Sequence, residues 1–583
     1  MAVTSNQLPL AADAIEPIEL PAVQPIPDSG PTGQSNKQNE TETLPGAVSE
    51  PVQRRSTLRT FTVMSALFAT LFIVALNTTI VATAIPTICS EFHAASGYSW
   101  IGASYVIATT AVVSVWAKLS DIWGRKPLLL IAVALYFASS ILCAVSTSMG
   151  MLIIGRTLQG IAGGGLGPLI NIVISDFFSL RTRPLFLGLL HVTYAVAGGL
   201  GPVLGGAFTE FVSWRWIFWI NLPVAGAAFC LLFLFLDVHN PKTKFAAGFR
   251  AIDWAGSISI VGVMVMVLLG LNFGGATYPW NSPKVICLVA VGTLVAVLFL
   301  INEGRFARYP IMPLGLFRHR SNAACLIVGF TQNFLVNGAD YYLPLYFQSA
   351  KEASPLRSGV LILPLIIVEA LTAVASGIFV QQTGRYIEPI WTGGVVLTVG
   401  FGLFAHLTAT TSLGSIVAFQ VVAGLGAGVL FDPPTIALQA LVAQDDTATA
   451  TATLSFMRSL GTSISIVIGD VIFQNGMQLQ RSSLRNKGLP ADLVNSLSGA
   501  DSASNVNLIG TISNLAQKLA VEQAYAWSLR NFWIMCTCMA ACGLLAGGLI
   551  TKKELSREHT ETQTGIKKTT DVAAGADVTP EQS

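Results

Sequence analysis

Charge is what this chain has least of. Only 11% of its 583 residues are Asp, Glu, Lys or Arg, against 52% hydrophobic, and its mean hydropathy is +0.63. A water-soluble domain carries about a quarter charged residues. So little charge cannot cover a soluble globule of this length, and an all-α integral membrane protein is expected. The net charge of +2 offers no basic surface for nucleic acid. The eight cysteines lie in or beside apolar runs and form no CxxC pair and no Cys/His cluster. Disulfides, a metal site and a bound cofactor are therefore not expected. No Walker loop or dinucleotide fingerprint occurs, which disfavours ATP-driven transport. No nucleophile elbow, zinc-protease helix or paired-carboxylate motif supports an enzyme.

What the chain has in abundance is apolar length. Fourteen runs are long enough to cross a bilayer as helices, which takes about 20 residues each. They fall near 61–84, 101–117, 128–147, 151–173, 186–209, 217–236, 252–272, 285–303, 322–347, 358–380, 390–408, 413–438, 451–474 and 530–550. Many of the 53 glycines lie inside these runs, where small residues let membrane helices approach closely. Residues 1–55 and 556–583 read as disordered tails. The first apolar run follows a long polar segment, so it is not a cleaved signal peptide.

Basic residues set the orientation. Lys118, Arg125, Lys126, Arg181, Arg183, Lys242, Lys244, Arg250, Arg305, Arg308, Arg318, Arg320 and Arg385 fall in loops on one side. Arg215, Lys284, Lys351 and Arg357 fall on the other. The first side is expected in the cytosol, with both termini. The connection at 475–529 is then extracellular, and it contains no Asn-x-Ser/Thr sequon.

A repeat is visible. In "AKLSDIWGRKPL" (117–128) Ala117 precedes the pair Gly124-Arg125, and in "GIFVQQTGRYIEP" (377–389) Gly377 precedes Gly384-Arg385 at the same spacing. "QGIAGGGLGP" (159–168) is echoed by "AGLGAGVLFDP" (423–433). Both echoes lie eight runs apart. They imply two six-helix halves, 60–236 and 322–550, with two inserted helices at 252–303. Two halves about a midplane site are a transporter architecture.

In the loop at 118–128, Gly124 permits a tight turn and Pro127 suits the first turn of the next helix. Asp121 can pair with Arg125 in one transport state and release it in another. Lys118, Asp121, Gly124, Arg125 and Lys126 are thus candidate gating residues, beyond the topological role of the cations. Around Pro202, which bends its helix, Gly198, Gly199, Gly201, Gly205 and Gly206 allow close packing.

Charges inside apolar runs are functional candidates because each is costly there, roughly 2.5–3.5 kcal/mol on insertion scales. Glu369, mid-run in "LPLIIVEALTAV", can exchange a proton with water entering the bundle. Arg458 is a candidate counter-charge. Asp340, Asp432 and Asp470 lie nearer run ends, where water reaches them. His191 can titrate, although a lone histidine is more often simply hydrogen-bonded. Phe334, Tyr341, Tyr342, Tyr346, Phe347, Trp391 and Phe431, with Asn337 and Gln348, suit an aromatic cavity for an amphipathic organic molecule. Any one of these aromatics can equally face lipid.

The loop "KLSDIWGRKPL" resembles the signature loop of the major facilitator superfamily. "GRTLQGIAGGGLGP" (155–168) resembles its fourth-span motif, and "GGLGPVLGGAF" (198–208) its fifth-span antiporter motif. "LNTTIVATAIPTI" (76–88) and "SWRWIFWINLPVAG" (213–226) are similar to the fourteen-spanner drug:proton antiporter branch. "YYLPLYFQ" (341–348) and "TATATLSFMRSLGTSISIVIGDVIFQNGMQ" (449–478) are similar to fungal toxin and multidrug efflux pumps. The resemblance implies the major facilitator fold and proton-coupled efflux of a hydrophobic or amphipathic metabolite, toxin or drug. It implies a monomer in the plasma membrane, partnered by substrate, protons and lipid. It makes Arg156, beside Gln159, a proton-handling candidate, and the fifth-span glycines a seal against proton leak. Asn77 stands where the branch usually has an acid, so coupling would rest on Glu369 and Arg156. Asn77 and Gln159 join Asn337, Tyr341, Tyr342 and Tyr346 as substrate-cavity candidates. Two rivals remain: a vacuolar basic amino-acid carrier of the same branch, and a transporter-like nutrient receptor signalling through its tails.

Overall fold

In a computed structural model of the chain, residues 57–556 are described, apart from 94–97, 239–240, 242, 275–277, 308–309, 499–501 and 504. The expected tails lie outside these residues except Ser556, as do Lys242 and Arg308 of the basic set. The long helices are α1 (Thr57–Thr79), α2 (Tyr98–Trp123), α3 (Arg125–Ala144), α4 (Met149–Phe177), α5 (Arg183–Phe211), α6 (Asn221–Phe235), α7 (Trp254–Phe273) and α8 (Pro283–Arg305). They continue as α9 (Arg320–Ala350), α10 (Leu363–Thr383), α11 (Ile387–Phe404), α12 (Leu413–Phe431), α13 (Pro433–Leu441), α14 (Thr447–Asn486) and α15 (Leu515–Gly547).

Among the described residues, 12 helical segments are long and apolar enough to cross a membrane. Two expected spans are not among them, yet both are helical. The run at 252–272 is α7, whose apolar stretch Trp254–Gly270 is shorter. The run at 322–347 is α9, where Asn322, Gln332, Asn333, Asn337 and Asp340 interrupt the apolar sequence.

Glycine sets the closest crossings. A Cβ on Gly164 of α4 would stand 2.8 Å from Val112 Cγ2 and 3.0 Å from Thr109 Cα of α2. One turn away, a Cβ on Gly160 would stand 3.0 Å from Ala108 Cβ. The pair Gly424 and Gly428 of α12 closes on α10 in the same way, at Leu365 O (2.8 Å) and Ala373 N (2.9 Å). Helices α5 and α10 meet reciprocally: a Cβ on Gly188 would stand 3.0 Å from Ala373 O, and one on Gly377 2.9 Å from the Pro184 carbonyl carbon. Backbones this close gain dispersion contacts where lipid supplies no hydrophobic drive.

The break between α12 and α13 has a chemical cause. Pro433 and Pro434 have no N–H to donate, which strips carbonyls one turn back of their partners. In a bilayer such groups must be satisfied by protein. Ser376 Oγ donates to Val429 O at 3.0 Å; at the same break Thr435 N turns to Asp432 O, and Arg458 Nη2 donates to the Phe431 O so left, at 2.6 Å.

The last two helices differ from expectation at their facing ends. α14 runs on to Asn486 and α15 begins at Leu515, where the Asn514 side chain caps it at Ala516 N (3.0 Å). The segment expected as an extracellular loop from 475 to 529 is therefore largely helical. The reason is local: residues 475–487 hold good helix formers, and the first positive-φ glycine is Gly488, at φ 80°.

Candidate functional site

Three polar assemblies lie along the bundle. The first is at the end carrying most of the loop cations, here the basic end. Gly124, at φ 94° and ψ 157°, turns α2 into α3 with backbone that glycine tolerates best. The turn places Arg125, 1% exposed, against Asp121 and Ser120 of α2 and Asp176 of α4, whose Oδ2 lies 3.1 Å away. Asp121 reaches further, accepting from Thr449 Oγ1 of α14 at 3.2 Å. Beside it Ala117 packs against Ile172, Ala448 and Ala452, so alanine on both helices allows a close seam. Arg183 of α5 donates to Gln439 of α13 at 3.0 Å, and Gln439 donates to Ser175 and Thr451. Arg181 donates to the carbonyls of Gln381, at 2.8 Å, and Gln382 at the end of α10. Polar bonds thus tie the basic ends of α2–α5 to α10, α13 and α14. Lys118 is half-buried with Asp121, Asp253, Glu303 and Asp446 within electrostatic reach. Lys126 lies over the Phe233 ring, 5.7 Å from its centre.

The second assembly surrounds Arg156 in α4, 2% exposed. Its Nη1 donates to Asn77 Oδ1 and Gln159 Oε1, both at 2.7 Å, and its Nε to Ile101 O at 3.2 Å. The guanidinium lies 4.4 Å from the centre of the Tyr105 ring. Asn77 donates to Tyr136, and Gln159 to Ser140. No carboxylate pairs with Arg156 among the described residues. Neutral acceptors and a ring face hold the charge.

The third assembly is its opposite in sign. Asn333, Asn337 and Asp340 follow one another at i, i+4 and i+7 along one face of α9. Asn337 Nδ2 bonds Asn333 O at 3.0 Å. Asp340 is exposed, and its carboxyl lies within electrostatic reach of Glu369 on α10, which is half-buried. No hydrogen bond or ion pair joins either carboxylate to another described residue. Arg458 does not pair with Glu369. Its guanidinium serves Phe431 O and Thr435 Oγ1 (3.1 Å) and stacks 4.6 Å from the centre of the Phe431 ring.

Several expected cavity residues are packing residues in this conformation. Tyr342 is 1% exposed, wedged on Phe532 and Gly469. Tyr346 is fully buried and donates to Thr408 O at 2.8 Å. Phe334 and Phe347 are buried too. Tyr341 and Trp391 are exposed, and Asn337 is half-buried. Asn77 and Gln159 belong to the Arg156 assembly. Of the fifth-span glycines, Gly201 makes the close approach: a Cβ there would stand 2.8 Å from Thr79 Cβ. Gly198 and Gly206 face open space. Gly205 O accepts from Thr209 Oγ1 at 2.6 Å, and the Pro202 side chain lies outside the described residues.

Sequence reasoning missed Asp176, Gln439, Thr449 and the partnership of Asp340 with Glu369. Asp176, an acid at the end of an apolar run facing a basic loop, was detectable. Gln439 and Thr449 carry no charge, so nothing in the sequence pointed to their partnerships.

Comparison with known proteins agrees with this architecture. The family profile described as Major Facilitator Superfamily matches residues 67–466. "Efflux pump dotC" of Dothistroma septosporum is 44% identical over 505 residues, covering 87% of this chain and 86% of that one. "MFS-type transporter ppz2" of Metarhizium majus is 40% identical, covering 92% and 93%. "Efflux pump FUS6" of Gibberella fujikuroi is 34% identical, covering 89% and 94%. A crystal structure of the human organic anion transporter MFSD10 superimposes with a TM-score of 0.54 at 14% identity, covering 82% of this chain and 99% of that one. At that identity the likeness shows the fold alone.

Proposed function

Since the chain belongs to the Major Facilitator Superfamily, we propose that it exports a hydrophobic or amphipathic small molecule, a secondary metabolite or toxin, by alternating access driven by protons. The observation that carries export is the 44% identity, over most of both chains, to a protein named as an efflux pump. A multi-pass membrane transporter needs one gate closed at a time. The bonds from Asp121, Arg181 and Arg183 to α14, α10 and α13 act as the closed gate at the basic end. We place that end in the cytosol, with both termini, and the protein in the plasma membrane. Helices α1–α6 form one half, α9–α15 the other, and α7–α8 an insertion. The like crossings of α4 on α2 and of α12 on α10 support this division.

Proton coupling rests on Glu369 with Asp340. Two unpartnered carboxylates that sense each other cannot both ionise freely, so one of them is a natural proton carrier. Arg156 holds its half in shape and supplies fixed positive potential. The same carboxylates favour a second reading, a cationic cargo such as a basic amino acid, with the vacuolar membrane as its site.

Deleting the gene in its host tests export. Retained small molecules should rise and exported ones fall, and adding back the chain should reverse both. Unchanged profiles on both sides would sink the export reading. Uptake of arginine or lysine by vesicles carrying the chain would select the second.

A further inference from the structure

His191 lies two turns inside the basic end of α5, about 12 Å along the helix from Arg183. Its Nε2 is 3.4 Å from Asp432 Oδ1. Its ring meets the Phe431 ring edge-on, with centres 3.7 Å apart. Asp432 sits at the break between α12 and α13, 4% exposed, and its Oδ2 is buried with no hydrogen-bond partner. On the other side of Phe431 is Arg458 of α14. Its Nε is also buried without a partner, and Asp432 lies within its electrostatic reach. One buried carboxylate therefore has two cationic neighbours. His191 reaches it from α5, while Arg458 reaches it from the same helix group as Asp432 itself.

Among the described residues of the elements packed on α5, none competes for His191. Among the elements packed on α5, α13 carries no ionisable residue and α10 carries Glu369 alone. α4 carries Arg156 and Asp176, and α1 carries Arg59. Arg156 is held by Asn77 and Gln159, Asp176 by Arg125, and Arg59 by Asp237. The short helix Pro355–Leu361, also against α5, brings Arg357 near the opposite end. Arg183, Tyr194 and Glu210 share α5 with His191.

We infer that His191 and Asp432 form an acid-strengthened latch on the basic end. The inference rests on the alternating-access reading above. Opening that end separates α5 from α12 and α13, so it must break this contact along with Arg183–Gln439. Protonated His191 gives the contact its charge, and histidine is the side chain that changes charge between about pH 5 and 8. Acid therefore holds the basic end closed. Loss of the proton to water frees His191, and Asp432 stays with Arg458, whose Nε takes the orphaned oxygen. If the basic end is cytosolic, an acidified cytosol brakes the pump.

The test uses the full chain in lipid vesicles, without substrate or gradient, bearing spin labels at the exposed positions Leu234 and Thr383. Between about pH 7.5 and 5.5 the short-distance population should rise by about threefold or more relative to the long one. His191→Gln should remove this pH step while keeping the distances themselves. His191→Lys should fix the short distance at every pH. Asp432→Asn should behave as His191→Gln does. A pH step that survives His191→Gln, or its absence in the unsubstituted chain, overturns the latch. Because no cargo is present, this result stands apart from that of the export test.

Discussion

The two ends of the chain bury charge in opposite ways. In α1–α6 the buried charge away from the basic end is a cation without an anion, Arg156, saturated by Asn77, Gln159, Ile101 and the Tyr105 ring. In α9–α15 two carboxylates, Asp340 and Glu369, are joined to no cation among the described residues, unlike the buried Asp432 beside His191. A charge with every bond made is fixed in place and acts as scaffold. A charge with bonds to spare can change its protonation or its partner. Under the proposed function the contrast puts framework in the first region and chemistry in the second, and it can be broken.

The largest expected effect is on the framework. Arg156→Leu strands three buried acceptors at about 1–3 kcal/mol each, so the folded yield after detergent extraction should collapse. Glu369→Gln should leave the melting temperature almost unchanged. Equal melting losses in the two variants would refute the division of labour. On flux the order reverses. Glu369→Gln or Asp340→Asn should cut pH-gradient-driven transport about tenfold or more, which is about 1.4 kcal/mol. If the two acids act as one unit, as proposed, the double variant should be no worse than the weaker single. Additive losses would mean two independent sites.

A third comparison tests the likeness of the two regions. Gly164→Ala and Gly428→Ala each drive a Cβ into a facing helix, and overpacking of this kind costs about 1–3 kcal/mol. Similar losses in thermal stability are expected, and a silent member would separate the regions. Asn77→Asp then sharpens the contrast by giving Arg156 the anion it lacks. Folding should be kept, and the pH profile of transport should gain a step that the native chain does not show.

The smallest effect is at the end remote from the loop cations. Glu91 accepts from Trp214 Nε1 at 2.5 Å and Arg215 Nη1 at 2.9 Å. The Trp214 hydrogen bond, with help from Arg215, holds its carboxyl below the usual carboxylate range. A lowered carboxyl contributes stability above the ordinary carboxylate pKa and loses it as pH falls through the lowered one. The carboxylate is 43% exposed and screened, so Glu91→Gln should cost less than about 1 kcal/mol at neutral pH. The difference should vanish in acid. A loss that grows on acidification would reverse the sign of this assignment.

How much of this the sequence carried depended on the kind of signal. Gly124, Arg125 and Asp121 were legible because a turn needs glycine and a short loop keeps its charges together. The echo at Gly384 was legible too, and it returns as a second positive φ, 73°, at the end of α10. Yet Arg125 is buried between two acids while Arg385 is exposed, 3.7 Å from Glu388. A matched spacing does not fix a matched environment. Asp340 was legible as a charge but not as a neighbour of Glu369, because helix rotation is set by packing. The burial of Tyr342 and Tyr346 in this conformation was not legible for a related reason: in a bilayer, packed and lipid-facing sides are both apolar, so periodicity cannot tell a cavity wall from a core.

The 40 residues of α14 make a rod of about 60 Å, twice the roughly 30 Å of a hydrocarbon core. Its first turns touch Asp121 at the basic end. A tilt of about 10° about that contact would carry its far end through about 10 Å. Under the proposed alternating access the rod is thus a mechanical amplifier. Motion too small to follow at the gate becomes visible near Asn486, where a single fluorophore would report each stroke from outside the membrane.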